Sequence, residues 1–323
     1  MKKKQEIFYA KILLFGEYSV IYNSMGLIIP YSHFRGELAF MNKDRYTDID
    51  FAKQSNMQLK AYSESLLQQK RTGKLSVQLD LQAFANDIKK GLYFESTIPQ
   101  GYGLGSSAAL VAAVYSRYAK NKIKSRRHIA PEEISQLKSD FSEMEAFFHG
   151  TSSGVDPLNS YIKYPVLMKG KGQFETVGIP RTDNGSDNAI FLLNTGKSRK
   201  TGPWVQIFLE KSKDKNYQKA IKEELIPLNN QCITSLLKGD LSTFRTALKK
   251  ISSFQLNYFR EMIPASCFEL WEKGLETDEY YLKLCGAGGG GFVLGFTGAF
   301  DNVKKEISEN GKEFIPVYRS NGK

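Results

Sequence analysis

A chain of mixed helices and strands, folded as two domains, is what this sequence predicts, and three observations carry the prediction. At 323 residues the chain is about twice the length of a typical domain. Its hydrophobic content of 41% and charged content of 24% are those of an ordinary water-soluble protein with apolar material enough for a real core. Short runs rich in Ile, Val, Phe and Tyr alternate along it with longer stretches of helical spacing.

The elements follow in order. Ile7 to Tyr22 reads as a strand, a turn at Gly16, then more strand or a short helix. Arg35 to Phe40 and Leu75 to Leu81 read as further strands, and Asn56 to Thr72 as a helix. Thr97 to Gly105 is a loop, and Ser106 to Ala119 an Ala-rich helix. Pro131 to His149 is a helix with Pro at its first turn, Glu132 and Glu133 at its positive end and Gly150 as its cap. Thr151 to Pro157 reads as a loop, and the polar run Arg181 to Asn188 as a domain boundary, giving domains 1–185 and 186–323. Beyond it come a strand over Ala189 to Asn194, helices between Pro203 and Leu275, strands at Tyr280 to Cys285 and Phe292 to Phe296, a helix around Asn302 to Glu309 and a last strand over Glu313 to Tyr318.

The formal net charge is +11, which favours anionic partners. The charge is dispersed, with its densest runs at Lys2 to Lys4, Lys120 to Arg127, Lys197 to Lys200 and Lys211 to Lys215. Solvated faces explain these runs, and no nucleic-acid-binding pattern accompanies them, so no nucleic-acid partner is expected. Cys232, Cys267 and Cys285 have neither metal-ligand nor redox-motif spacing, and read as buried thiols of a reducing compartment. Glu6, Lys11 and Glu17 break the apolar start, and no membrane-spanning stretch follows. A cytoplasmic protein with no membrane partner is the expectation.

The densest chemical signal is GYGLGSSAA, Gly101 to Ala109. Glycines at 101, 103 and 105 leave backbone amides uncovered, and Ser106 and Ser107 open a helix. Uncovered donors at the positive end of a helix make an anion site; the plain alternative is a tight strand-to-helix connection. Neither common nucleotide motif is present. Gly196-Lys197-Ser198 ends like a P-loop, but Phe191 stands where its first glycine is needed. Gly286, Gly288 and Gly291 have dinucleotide-fingerprint spacing, but a strand follows where a helix is required. CGAGGGGF therefore reads as a loop of close backbone approach.

Three charges stand out. On the helix 131–149, Ile134, Leu137, Phe141, Met144 and Phe148 fall within a sector roughly 80° wide, and Glu145 lies about 20° past its edge. A carboxylate there needs a cation or hydrogen-bond donors, or else reaches solvent at the helix end. His149 shares that face and suits packing or hydrogen bonding. Asp156, in HGTSSGVDP, is either a turn residue or a base for activating a hydroxyl. Lys11 interrupts an apolar run and either snorkels outward or serves chemistry.

Three segments together resemble the GHMP kinase superfamily, and within it the mevalonate kinases: KILLFGEYSVIYNSMGLIIP from Lys11 to Pro30, PQGYGLGSSAAL from Pro99 to Leu110 followed by HGTSSGVDP, and KLCGAGGGGFVLGF from Lys283 to Phe296. TGKSRKTG, Thr195 to Gly202, narrows the resemblance. It implies an α+β fold of two domains, the first with a left-handed βαβ crossover and the second ferredoxin-like, with the site between them. It implies an ATP-dependent kinase, monomer or homodimer, that phosphorylates mevalonate with Mg²⁺. Asp156 would be the base, and Lys11 would lower the hydroxyl's pKa. Gly101, Gly103, Leu104, Gly105, Ser106, Ser107 and Ala108 would hold the ATP phosphates, and Ser107 and Glu145 the Mg²⁺. Glu17, Tyr18, Arg199, Thr201 and Gly288 would meet the acceptor, with Arg199 pairing its carboxylate. The chain departs from the family at Phe8-Tyr9-Ala10 before the lysine, at Tyr18 where a histidine is usual, and at Thr151-Ser152 and Pro157 around the aspartate.

Overall fold

The protein is described by a computed structural model covering residues 6–41, 48–170, 172–180, 187–199 and 201–320. Two antiparallel sheets organise it. In the first, β1 (Phe8–Phe15) pairs with the long β2 (Gly26–Phe40), Lys11 lying opposite Pro30. The outer half of β2, from Gly36 to Phe40, pairs with β3 (Leu92–Ser96). Its inner end, from Gly26 to Ile28, pairs with β4 (Val166–Met168), which carries β5 (Phe174–Thr176). β3 and β4 both oppose β2 and so run parallel to each other. The chain between them crosses over through α3 (Ser106–Tyr118), α4 (Pro131–His149) and α5 (Val155–Ile162). Two earlier helices, α1 (Ile49–Arg71) and α2 (Leu81–Lys89), pack beside β3 and are capped by Asp48 and Asp80.

The second sheet has the order β7-β8-β6-β9. β6 (Ala189–Asn194) lies between β8 (Phe292–Thr297) and β9 (Phe314–Arg319), and β7 (Tyr280–Leu284) is the edge beyond β8. Five helices fill the connection from β6 to β7: α6 (Thr201–Lys211), α7 (Lys215–Ala220), α8 (Ile226–Lys238), α9 (Leu241–Tyr258) and α10 (Phe268–Thr277). One turn of wider π helix, Ile221–Leu225, joins α7 to α8. With α11 (Phe300–Glu309) between β8 and β9, the strand–helix–strand–strand–helix–strand order is ferredoxin-like.

The two halves share a core. Phe15, at the end of β1, stacks on Phe296 of β8 at 5.8 Å between ring centroids and meets Phe244 of α9 edge-on at 5.9 Å. A second apolar cluster lies under the ferredoxin-like sheet around Trp271, Tyr280 and Phe191. The boundary expected at Arg181 to Asn188 falls largely outside the described residues.

Several expectations are corrected. Leu75 to Leu81 is not a strand: its alternation buries Leu75, Leu79 and Leu81, but only Leu79 forms a β-bridge, to Ala119. The Glu143 carboxylate takes the Ser76 amide there in place of a sheet partner. Residues 151–157 are not all loop, because α5 begins at Val155, which puts Asp156 in a first helical turn. β2 starts at Gly26, well before Arg35, and β3 was not expected.

Candidate active site

The turn at 101–108 joins β3 to α3. Gly101, Gly103 and Gly105 have φ of +77°, +79° and +77°, a region that strains any residue with a Cβ. From Gly101 through Ala108 no backbone N–H donates to a partner among the described residues; the first that does is Ala109, to the Gly105 carbonyl at 3.0 Å. A run of unpartnered donors ending on a helix N-terminus is the electrostatic form of an anion cradle. Leu104, fully buried, anchors the turn, and its carbonyl accepts from the Lys11 amide at 2.9 Å. A Cβ on Gly105 would stand 2.9 Å from Lys11 Cγ. The turn therefore lies directly on β1 at the lysine.

Lys11 is 7% exposed. Its Nζ meets Asp156 Oδ2 at 2.8 Å, and the Asp156 side chain is 41% exposed. The lysine does not snorkel outward, because the turn covers its stem. Asp156 reaches it because α5 opens on Gly154, whose φ is +72°. A Cβ on Gly154 would run into the Lys138 carbonyl and the Ser142 amide of α4, so only glycine lets α5 start this close to α4.

Glu145 is 4% exposed; its helix end is not open to solvent. It accepts from Ser107 Oγ at 3.3 Å and from Ser152 Oγ. Ser107 Oγ also lies 3.1 Å from His149 Nε2. Burial, together with the negative charge of Asp156, raises the Glu145 pKa from 4.5 to about 7, with the serines and Lys11 opposing the shift. Glu145, Ser107, Lys11 and Asp156 thus form one cluster under the glycine turn. Ser106 and Ala108 stand beside Ser107 in the first turn of α3.

The remaining expected residues gather on the second glycine loop, 285–291. Glu17 Oε1 accepts from Lys283 Nζ at 2.7 Å and from the Gly286 amide at 3.3 Å. The two side chains of this pair are 2% and 1% exposed, and burial raises the Glu17 pKa despite the lysine. Tyr18 donates its hydroxyl to the Ala287 carbonyl at 2.6 Å while stacking on Phe208 at 4.5 Å. Arg199 donates from Nη1 to the Gly288 carbonyl at 2.8 Å and from Nη2 to the Cys285 carbonyl at 2.9 Å. Its Nε is buried without a partner among the described residues. Gly288 itself sits against Met262 with φ of +74°. The Thr201 side chain lies outside the described residues.

Sequence reasoning missed Lys283, the partner of Glu17. The signal was there: one lysine inside the apolar strand YYLKL, the same pattern that singled out Lys11. A cavity of about 420 Å³ between the sheets, lined by Ile29, Leu236, Phe244 and Phe296 among others, contains none of the expected site residues.

The two-domain fold is similar over nearly its whole length to that of solved small-molecule kinases. Residues 68–162 match the family model described as the GHMP kinases N terminal domain, a family whose members are ATP-dependent kinases. Solved structures similar to the chain include the mevalonate kinase of L. major in complex with R-mevalonate (16% identity, 99% of this chain and 98% of that one, TM-score 0.64). They also include the phosphomevalonate kinase of Streptococcus pneumoniae (15% identity, 98% and 99%, TM-score 0.64) and the galactokinase of Lactococcus lactis complexed with galactose (16% identity, 99% and 95%, TM-score 0.62). No curated protein matches the chain in sequence.

Proposed function

We propose that the protein transfers the γ-phosphoryl group of ATP to the terminal hydroxyl of mevalonate. The observation that carries the phosphotransfer reading is the Lys11–Asp156 pair at 2.8 Å, set beneath a glycine turn whose amides have no partner. The cradle supplies donors for the phosphates, and the pair supplies a base beside a cation. Phosphoryl transfer asks for little else, since positioning and charge neutralisation do most of the work.

In this reading Asp156, half exposed at the start of α5, takes the proton of the acceptor hydroxyl. The hydroxyl oxygen forms its bond to the γ-phosphorus as the bond to the β–γ bridging oxygen breaks, and ADP leaves with the charge. Lys11 steadies the oxygen that loses the proton and the phosphoryl group in transit. The amides of 101–108 orient the chain of phosphates.

Mg²⁺ suits the oxygens present. Glu145 and Ser107 lie 3.3 Å apart, and a cation there would favour the charged carboxylate against the burial that raises its pKa. Mg²⁺ characteristically takes one or two protein oxygens and fills its other positions with phosphates and water; among the described residues no cluster of three or more His, Cys, Asp or Glu side chains offers a full protein cage. When bound, it would neutralise charge on the β- and γ-phosphates.

Mevalonate as acceptor rests on HGTSSGVDP and TGKSRKTG and on the L. major neighbour. The S. pneumoniae phosphomevalonate kinase is as similar in fold, so phosphomevalonate is the second reading. ADP release measured side by side with mevalonate, phosphomevalonate, homoserine and galactose tests both. Mevalonate is expected to support turnover; turnover with phosphomevalonate alone would move the assignment to the second reading.

A further inference from the structure

Arg199 stands between the two glycine loops, and its contacts run to both. Its backbone amide donates to the Gly101 carbonyl at 2.9 Å, at the start of the phosphate turn. Its guanidinium donates to Cys285 and Gly288 at the two ends of the first half of the other loop. The glycines around it are cut to its shape. A Cβ on Gly103 would stand 2.5 Å from Nη2, and a Cβ on Gly286 would stand 2.7 Å from the same atom. One glycine from each loop is therefore empty of side chain where the guanidinium passes.

This arrangement commits two of the five guanidinium N–H donors to the protein itself. A fork onto a carboxylate uses two parallel N–H groups; here Nη1 and Nη2 each give one N–H to a loop carbonyl, and Nε is buried without a partner among the described residues. Lysine is no substitute at such a place: one ammonium is a point donor, whereas the planar guanidinium reaches two acceptors at fixed separation.

We infer that Arg199 is a positioning residue, a bracket that holds the phosphate turn and loop 285–291 in one register so that nucleotide and acceptor are presented to each other. The inference rests on the kinase reading for what the loops bind, but not for the bracket itself. Only two tryptophans are present, and Trp271 is fully buried. Trp204 is half-buried with its ring packed over Gly289, so its quenching by acrylamide reports on loop 285–291.

The test compares wild type with Arg199→Ala, Arg199→Lys, Gly286→Ala and the Arg199→Ala/Gly286→Ala double variant, as full-length protein. Arg199→Ala should raise Trp204 quenching and weaken both the KM for acceptor and the binding of a non-hydrolysable ATP analogue by about tenfold or more. Arg199→Lys should restore neither. Added methylguanidinium should restore analogue binding and lower the quenching in Arg199→Ala, and do nothing to wild type. Gly286→Ala should cost less in the Arg199→Ala background, where the guanidinium it strikes is gone.

A different pattern overturns the bracket: only the acceptor KM rises, Arg199→Lys partly restores it, and analogue binding and Trp204 quenching stay within twofold of wild type. That pattern belongs to a counter-ion for the acceptor. Should wild type release no ADP with any of the four acceptors, the kinase reading fails, while Trp204 quenching, methylguanidinium rescue and the non-additivity at Gly286 still decide the bracket.

Discussion

The two glycine loops differ in what becomes of their backbone polar groups. In 101–108 the glycines keep side chains away so that backbone donors stay open; no amide from Gly101 to Ala108 is engaged within the described protein. In 285–291 the glycines let other groups come in close. The carbonyls of Cys285, Ala287 and Gly288 are held by Arg199 and Tyr18, and the amides of Gly286, Gly289 and Gly291 by Glu17, Met262 and Lys197. In the proposed reading a ligand completes the first loop, whereas the protein itself completes the second. Changes around the first should therefore reach chemistry and binding, and changes around the second should reach stability first.

The largest expected effect is at the chemistry under the first loop. Asp156→Asn should lower kcat by roughly 10²–10⁴-fold, the usual range for a positioned base, while ATP-analogue binding and melting temperature hold. Steady-state kinetics beside calorimetry checks this, and near-normal turnover would remove Asp156 from the role. On the second loop, Glu17→Ala strands Lys283 as an uncompensated buried charge and should cost about 3–5 kcal/mol of stability. The double change Glu17→Leu/Lys283→Met, which removes both charges, should recover most of it. Urea unfolding reads both, and a Glu17→Ala protein as stable as wild type would break the contrast between the loops.

A smaller effect is tied to pH. Glu145 has its pKa raised from 4.5 to about 7, so between those values the folded protein keeps a proton that the unfolded chain has released. Metal-free stability should thus fall as pH rises through that window. Glu145→Gln should remove this slope and be more stable than wild type by roughly 1–3 kcal/mol at pH 8; equal slopes in denaturation at pH 5 and pH 8 would contradict it. The smallest effect is at Gly105. Gly105→Ala must adopt φ of +77° beside Lys11 Cγ, a strain of about 1–2 kcal/mol, and should weaken ATP-analogue binding several-fold by calorimetry.

Much of this contrast was legible in the sequence, and the parts that were not have physical reasons. The turn 101–108 announced itself through glycine density before a helix, and the structure gives it the open amides that density suggests. Glu145 was harder: a residue about 20° beyond an apolar sector is buried or exposed depending on what packs beside the helix, and here Ser152 and Ser107 close over it. Lys11 left two readings open because strand periodicity cannot tell which face a later loop will cover. Asp156 was placed in a loop because the short run TSSGVDP hides a helix start behind Gly154. The strand read into Leu75 to Leu81 shows the reverse failure, where alternation marks burial without a sheet neighbour. What no local pattern carries is the pairing of Glu17 with Lys283, 266 positions away, or the passage of Arg199 between two loops from distant parts of the chain. Those contacts exist only once the ferredoxin-like sheet docks on β1.

The claim at the centre is that the open turn and the Lys11–Asp156 pair make one phosphotransfer site. A coupled ADP-release assay with mevalonate, run on wild type and Asp156→Asn at saturating ATP and Mg²⁺, tests it most directly. Acceptor-dependent ADP release that collapses in the variant, with ATP-analogue binding intact, is the predicted result. ADP release that survives the Asp156→Asn change, or none from wild type with mevalonate or any of the other three acceptors, would contradict it.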